Sequence, residues 1–179
     1  MRDIVKAAEN IATHAHRSQV RKYSGVPYIV HPQEVMELVE SVAHTEAMLA
    51  AAWLHDTIED TDVCAFEIAN ECSNEVAALV EMLTDISIPE DGNRKVRKAK
   101  DLAHTANASP EAKTIKLADL ISNSRSIFGH AEEGNKDAKA FAKLYAIEKR
   151  ALLDVLTEGS PKLWEEANSL LLAFTQGVK

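Results

Sequence analysis

The sequence predicts an all-α fold, a single bundle of about eight or nine helices. Apolar residues recur at the i, i+3, i+4, i+7 spacing of a helix face almost throughout the chain. We find no strand-like alternation of useful length, and turns that contain Pro or Gly separate the helical stretches. The 179 residues have the length of one domain, so we expect residues 1–179 to share one core.

The first two helices are predicted from their apolar faces. One face covers Ile4 to Ala15, and the next covers Val35 to Val42, with Pro32 well placed in a first turn. Between these helices, we predict a loop at residues 23–30, which contains Gly and Pro and is the one extended segment of the chain.

The later helices combine apolar stripes with start signals. Ser109 and Pro110 suit an N-cap and the N1 position of a helix, and Ser160 and Pro161 start the last helix. In chain order, we predict these helices at about 46–59, 65–71, 74–84, 93–106, 110–129, 137–157 and from 161 onward.

Composition narrows the class of protein. A net charge of −8 argues against nonspecific binding to nucleic acid, which needs a broad basic surface. No apolar run has the roughly 18 residues of a membrane span, and the amino terminus lacks a signal-peptide core. The two cysteines, Cys64 and Cys72, lack CxxC spacing. We therefore expect a soluble, cytoplasmic protein with reduced thiols.

The most informative segment is His55-Asp56, followed one turn later by Glu59-Asp60. On one continuous helix these four side chains would crowd one sector, and neighbouring carboxylates repel each other. A divalent metal would turn that repulsion into coordination. The alternative is a solvated polar helix end, which is common for an isolated HD pair.

Two further residues favour a metal site. His31 follows an apolar stretch and Asp119 lies on an otherwise apolar helix, which makes an H…HD…D set of four ligands plausible. Oxygen and nitrogen donors without thiolate suit manganese, iron, zinc or magnesium, and the histidines favour a transition metal over magnesium. Asp119 could instead be a salt-bridge partner of Lys116.

Basic residues form two groups. Five of the seven residues from Arg94 to Lys100 are basic, which indicates either a solvated helix face or an attractor for an anionic substrate. Arg17, Arg21 and Lys22 form a second group, and an arginine can stack on a base. Together they suit a nucleotide polyphosphate.

Three segments of this sequence closely resemble the HD hydrolase domain of the RelA/SpoT family. They are residues 21–32 (RKYSGVPYIVHP), 54–61 (LHDTIEDT) and 115–119 (IKLAD) with Asn123. The resemblance covers residues 1 to 157 in order, and the length is similar to that of the stand-alone small alarmone hydrolases.

This resemblance implies a manganese-dependent hydrolase that removes the 3′-pyrophosphate of ppGpp and pppGpp, releasing pyrophosphate with GDP or GTP. It implies Mn²⁺ as the cofactor, a guanine nucleotide alarmone as the partner, no nucleic acid or membrane partner, and either a monomer or a homodimer. By motif position, it assigns these roles: metal ligands His31, His55, Asp56 and Asp119; catalytic residues Glu59 and Asp60, which handle the attacking water; and substrate-binding residues Arg21, Lys22, Asn123, Arg94 and Lys95.

Two alternatives remain open at this point. The family pattern after the aspartate differs at residues 123–126, which read NSRS here, so the substrate could be another nucleotide phosphate. A catalytically silent HD domain that binds alarmone as a sensor is the second alternative. Such domains normally lose a ligand or the Glu-Asp pair, and this chain retains both.

Overall fold

A computed structural model describes residues 3–177 of the chain, and it confirms the all-α prediction. Over this range we find ten α-helices, one of them a single turn, and a 3-10 turn at Pro89–Asp91. The helices are α1 (Ile4–Ala15), α2 (Val30–Glu40), α3 (Glu46–Leu54), α4 (Thr57–Asp60), α5 (Ala65–Glu71), α6 (Asn74–Leu83), α7 (Arg94–Ala106), α8 (Pro110–Glu132), α9 (Lys136–Val155) and α10 (Pro161–Gly177).

Short polar side chains set the starts of most of these helices. The predicted N-cap Ser109 accepts a hydrogen bond from the backbone N–H of Ala112 at 3.3 Å, with Pro110 at N1. Such caps satisfy backbone donors that have no partner within the helix. The other side chains that cap in this way are Asp3, Thr45, Ser73, Asn93, Asn135 and Ser160.

The predicted helix 46–59 is interrupted, which corrects the assumption of one continuous helix. α3 ends at Leu54 and α4 begins at Thr57, so His55 and Asp56 form the junction. Nδ1 of His55 donates to the carbonyl of Ala52 at 2.8 Å, and the hydroxyl of Thr57 donates to the carbonyl of Leu54 at 2.7 Å. Because these side chains hydrogen-bond to carbonyls in the last turn of α3, the helical backbone hydrogen bonds stop there.

The segment before α2 is a Gly- and Pro-containing loop, as predicted for residues 23–30, but it is tight and not extended. Backbone N–H of Arg21 donates to the carbonyl of Val26 at 2.8 Å, and Gly25 has φ +70. The loop ends by entering α2 at Val30. This turn carries Tyr28 and His31 towards the centre of the bundle.

Helices α3 and α8 lie at the centre. α3 contacts α1, α2, α6 and α8. Besides α3, α8 contacts α2, α6, α9 and α10. Both central helices are buried on nearly every side, as shown by Leu54 and Leu117, which are fully buried. Side chains of α2, the α3–α4 junction and α8 therefore meet inside one core.

The α9–α10 turn approaches α8 very closely at Gly159. A Cβ atom there would lie 2.9 Å from Cδ1 of Leu117 and 3.0 Å from the backbone of Lys113 and Thr114. The hydroxyl of Thr114 also accepts a hydrogen bond from the backbone N–H of Ser160 at 2.9 Å. Only glycine fits this contact without displacement of α8.

Between residues 3 and 177, no helix is both long enough and apolar enough to cross a membrane. Cys64 and Cys72 are free thiols, as predicted.

Candidate metal centre and nucleotide site

Four side chains predicted as metal ligands converge at one point in the core. Nε2 of His55 lies 3.2 Å from Nε2 of His31 and 3.0 Å from Oδ2 of Asp56. Oδ1 of Asp119 lies 3.3 Å from Nε2 of His31 and 3.8 Å from Nε2 of His55. Possible donor atoms of His31, His55 and Asp56 all lie within 4.8 Å of one another, and Asp119 adds its oxygen from α8. We call these four residues the HD cluster.

The other nitrogen of each histidine is held by a neighbour. Nδ1 of His55 faces the carbonyl of Ala52, which can only accept a hydrogen bond. Nδ1 of His31 lies 2.9 Å from Oγ of Ser122. With Nδ1 protonated, the lone pair of each neutral ring lies on Nε2, the atom that faces the HD cluster. This is the tautomer that a metal needs.

The charged side chains of the HD cluster shift one another's pKa values. Burial alone would raise the pKa of Asp119, but its hydrogen bond with His31 and the charge of Lys116 hold that pKa well below its ordinary value. Burial would also raise the pKa of Asp56, but the charge of His55 outweighs burial and lowers that pKa. Burial would lower the pKa of His55, yet Asp56 raises it to about 9. The carboxylates thus stay ionised and attract cations.

A second layer of side chains orients the ligands. The Tyr28 hydroxyl donates to Oδ2 of Asp56 at 2.6 Å, and burial followed by the charge of Asp56 raises the pKa of Tyr28 far above its ordinary value. Nδ2 of Asn123 donates to Oδ1 of Asp119 at 2.5 Å. The salt bridge of Asp119 with Lys116, which the sequence offered as an alternative to a ligand role, is present as well, at 3.9 Å. Each carboxylate of the HD cluster therefore has a fixed orientation.

Glu59 and Asp60 have different charged neighbours, although both interact with Asp56 of the HD cluster. Burial and then the charge of Asp85 raise the pKa of Glu59, and Lys116 acts on it in the opposite direction. Burial and then Asp56 raise the pKa of Asp60, which also interacts with the charges of His16 and His55. A raised pKa makes a carboxylate a better base near neutral pH.

A short relay fixes the backbone of Asp60. Nδ1 of the buried His16 lies 2.7 Å from Oε1 of Gln19, and Nε2 of Gln19 donates to the carbonyl of Asp60 at 2.9 Å. The relay ties the end of α4 to the loop after α1.

The predicted substrate-binding residues are brought together only in part. Nη1 of Arg21 donates to Oδ1 of Asn123 at 3.2 Å, which places Arg21 beside the HD cluster. Nζ of Lys22 lies 5.4 Å from the ring centroid of Tyr23 and 5.8 Å from that of Phe141. One cation and two aromatic rings therefore lie together, and Lys22 is next to Arg21 in the chain.

The two predicted substrate-binding residues of the basic helix α7, Arg94 and Lys95, have different surroundings. Arg94 makes a double hydrogen bond to Glu148 of α9, at 2.9 and 2.7 Å, so its guanidinium is already engaged by a carboxylate. Lys95 lines a cavity of about 400 Å³ between α7, α8 and α9. Arg125, within the segment that departs from the family pattern, is ion-paired with Glu166 of α10.

Sequence reasoning missed Tyr28, Glu34 and Ser122 as parts of the site. The hydroxyl of Ser122 donates to Oε2 of Glu34 at 2.6 Å, beside its contact with His31. Helical spacing gave a signal, since Glu34 is i+3 from His31 and Ser122 is i+3 from Asp119. No local pattern indicates that these pairs on two distant helices would meet.

The donor set fits a divalent transition metal. Two imidazole nitrogens and two carboxylate oxygens are the ligand types that Mn²⁺, Fe²⁺ and Zn²⁺ accept, and the charges of two carboxylates match a dication. The hydrogen bonds on the outer nitrogens and oxygens are those of a supported metal site.

Comparisons with known proteins agree with this geometry. A sequence model of the HD domain matches residues 8–147. The Mus musculus guanosine-3′,5′-bis(diphosphate) 3′-pyrophosphohydrolase MESH1 is 38% identical over 123 residues, 67% of this chain and 67% of that protein. The guanosine-3′,5′-bis(diphosphate) 3′-pyrophosphohydrolase of Aquifex aeolicus is 32% identical over 143 residues, which are 79% of this chain but only 20% of that protein.

A solved structure of a metazoan ortholog of SpoT, described as hydrolysing ppGpp, matches the whole chain. The TM-score is 0.81 at 25% identity, and the match covers 100% of this chain and 98% of the other.

Proposed function

This chain belongs to the HD-domain family, and from that premise we propose that it hydrolyses the 3′-pyrophosphate of ppGpp and pppGpp, releasing pyrophosphate with GDP or GTP. The observation that carries the proposal is the convergence of His31, His55, Asp56 and Asp119 on one point, with both Nε2 atoms directed inward. The named relatives act on this nucleotide, and the chain matches one such structure along its whole length.

The HD cluster would hold one divalent ion, for which we propose Mn²⁺. When bound, such an ion supplies positive charge that favours a hydroxide nucleophile near neutral pH and offsets the charge of a phosphate. The mixed nitrogen and oxygen donors support manganese over magnesium, which prefers oxygen ligands.

Glu59 and Asp60 are the proposed catalytic residues. The oxygen of a water molecule attacks the phosphorus that is bonded to O3′ of the ribose. One of these carboxylates takes a proton from the water as the P–O3′ bond breaks. That proton passes on to O3′, which leaves as the hydroxyl of GDP or GTP, and both phosphates depart as pyrophosphate, which carries the oxygen of the water. The raised pKa values of the two carboxyls support a base role.

Arg21, Lys22 and Asn123 are the proposed contacts for the nucleoside. Arg21 is fixed beside Asp119 through Asn123, so its planar guanidinium is ordered before the substrate arrives. Lys22 lies between two aromatic rings, Tyr23 and Phe141, which offer faces for stacking of a guanine base. Arg94 and Lys95 remain proposed phosphate contacts, with Lys95 the better placed because it lines the cavity.

The alternative substrate, another nucleotide phosphate, rested on the departure at residues 123–126. The family pattern there is N-x-R-[TD], so the departure falls on Ser126, whereas Asn123 keeps its contacts with Arg21 and Asp119. A silent sensor is disfavoured because both Glu59 and Asp60 are present beside a complete ligand set.

The test is turnover of ppGpp by the full chain loaded with Mn²⁺, with GDP and pyrophosphate separated by ion-exchange chromatography. We expect equal amounts of both products, and their loss in Glu59→Gln. Release of single phosphates from other nucleotides, with ppGpp intact, would favour the alternative substrate. Tight ppGpp binding without turnover would favour the sensor.

The identity of the metal cofactor is tested by comparing the activity that different divalent metals restore. Protein stripped with a chelator should regain activity best with Mn²⁺ when Mn²⁺, Fe²⁺, Zn²⁺ and Mg²⁺ are added separately. We further propose that residues 1–179 act as one HD domain and that the enzyme works in the cytoplasm, where the thiols of Cys64 and Cys72 would stay reduced.

A further inference from the structure

His16 is a buried histidine outside the HD cluster. It is the C-cap of α1, and only 1% of the residue is exposed. Its Nδ1 lies 2.7 Å from Oε1 of Gln19. Its Nε2 is also buried, and it has no hydrogen-bond partner among the residues that the structure describes. A buried polar atom without a partner costs free energy of folding, so stability alone does not account for a histidine here.

Gln19 connects the ring of His16 to Asp60. Because Nε2 of Gln19 donates to the carbonyl of Asp60 at 2.9 Å, the oxygen of the same amide faces His16. That oxygen can only accept, so Nδ1 of His16 carries a proton and donates it. The backbone of Gln19 is held as well: its N–H donates to the carbonyl of His16, and its carbonyl accepts from the N–H of Tyr28, both at 3.0 Å. Gln19 is thus fixed before it reaches Asp60.

Asp60 needs outside support because α4, which it ends, is a single turn of four residues. The last carbonyls of a helix have no partner within it, and so short a helix is not stable on its own. Asp60 lies at the surface, where it lines a polar cavity of about 510 Å³ together with Gln19. Water competes for hydrogen bonds at such a surface. The buried ring of His16 therefore supplies the fixed end of the relay.

The ring of His16 also packs behind the HD cluster. Its centroid lies 4.8 Å from that of the Tyr28 ring, whose hydroxyl donates to Asp56. Burial and then the charge of Asp56 raise the pKa of Asp60, and the charge of His16 is the largest of the effects that lower it. His16 is therefore close to the site without being among the proposed ligands.

We propose that His16 is a positioning residue for Asp60, and that it acts through Gln19 to hold the carboxylate of Asp60 beside the HD cluster. The ring is oriented for Nδ1, and Nε2 is left without a partner as a consequence. The reaction that Asp60 assists rests on the proposed function, whereas the positioning itself follows from the contacts of His16.

The experiment compares the full, metal-loaded chain with His16→Phe, His16→Asn, Gln19→Leu and His14→Phe. Phenylalanine keeps a ring against Tyr28 and removes Nδ1, whereas the amide of asparagine supplies a donor close to the position of Nδ1. Gln19→Leu breaks the relay from its other side. His14 is exposed on α1 and lies outside the relay, so His14→Phe is the matched control. Thermal unfolding establishes that each variant is folded.

His16→Phe and Gln19→Leu should each lower kcat for ppGpp by about 10- to 100-fold, the size of the loss when a catalytic group is misplaced. KM and the affinity for Mn²⁺ should stay close to the wild-type values, because neither residue is a proposed substrate contact or ligand. The double variant should lose no more than either single variant, since both act through one relay. His16→Asn should restore part of the loss, and His14→Phe should behave as wild type.

Unchanged kcat in folded His16→Phe would overturn the proposal. Additive losses in the double variant would also overturn it, because His16 and Gln19 would then act separately. A fall in metal affinity as large as the fall in kcat would show that His16 supports the ligands through Tyr28 and does not position Asp60. If His16→Phe does not fold, Gln19→Leu carries the same expectations.

The carbon NMR resonance of the Asp60 carboxyl group gives a readout that does not depend on turnover. It is recorded with diamagnetic Zn²⁺ in place of Mn²⁺, which broadens nearby signals. If the wild type fails to hydrolyse ppGpp, the proposed function fails, and this resonance then tests the positioning alone. A shift in His16→Phe that is absent from His14→Phe would support the positioning, and an unchanged resonance would overturn it.

Discussion

The Ser122 hydroxyl on α8 donates its single proton to Glu34 on α2, at 2.6 Å. The same oxygen lies 2.9 Å from Nδ1 of His31, so it must accept a hydrogen bond from that nitrogen. One hydroxyl thereby connects two helices and fixes the ring of His31, a proposed metal ligand. A carboxylate behind the hydroxyl also strengthens the basicity of the histidine.

Ser122→Ala should lower metal affinity by about tenfold or more, because His31 loses the acceptor that fixes its tautomer. Calorimetric titration of the chelator-treated protein with Mn²⁺ measures this. Ser126→Ala, on the same helix but without this contact, is the control. Equal affinities in the two variants would show that Ser122 does not orient His31.

Asp119→Asn and Glu59→Gln should separate binding from chemistry. Asp119→Asn removes a charge from the HD cluster, so we expect metal affinity to fall. Glu59→Gln should keep the metal and lower kcat by about 10²- to 10⁴-fold, the usual contribution of a general base. Metal content by atomic absorption and initial rates give both readouts. Equal metal loss in both variants would contradict this division of roles.

Metal binding should release a proton and strengthen as pH rises. Without metal, the pKa of His55 is raised to about 9, so below that pH the ring carries a second proton that competes for Nε2. The apparent affinity should therefore increase about tenfold per pH unit up to about pH 9 and then level off. Calorimetry at pH 7 in two buffers of different ionisation enthalpy counts the protons. Identical heats in both buffers would rule the release out.

Gly159→Ala should lower the free energy of unfolding by about 1–3 kcal/mol, because its new methyl group would meet Leu117 and the backbone of α8. Gly129→Ala is the matched control: it lies within α8, and nothing stands within 4 Å of its added Cβ. That variant should gain about 0.5–1 kcal/mol from the helix preference of alanine. Urea unfolding measures the free energy of unfolding of both variants. Equal stability would show that the added methyl group at residue 159 does not clash with α8.

Most helices could be predicted because they depend on local pattern, whereas the four proposed ligands were expected from three separated motifs and the family resemblance. Apolar spacing placed most helices within a few residues, and the His55-Asp56 pair marked the site. The break between α3 and α4 escaped prediction because the side chains of His55 and Thr57 compete with the backbone for carbonyls, which apolar spacing does not report.

Contacts between distant segments escaped prediction for a different reason. Tyr28 meets Asp56, and Glu34 meets Ser122, only after α2, α3 and α8 have packed. The double hydrogen bond of Arg94 to Glu148 is likewise invisible in the sequence, where Arg94 looks like a free phosphate contact. Such pairs depend on tertiary geometry that one sequence does not encode in any local spacing.

The HD cluster draws its donors from α2, the α3–α4 junction and α8, so a bound dication would act as a cross-link within the core. A ligand that binds only the folded state raises stability by RT ln(1 + [L]/Kd). The melting temperature of this protein would then report the free metal concentration around it, and scarcity of metal would affect the lifetime of the folded chain as well as its rate of turnover.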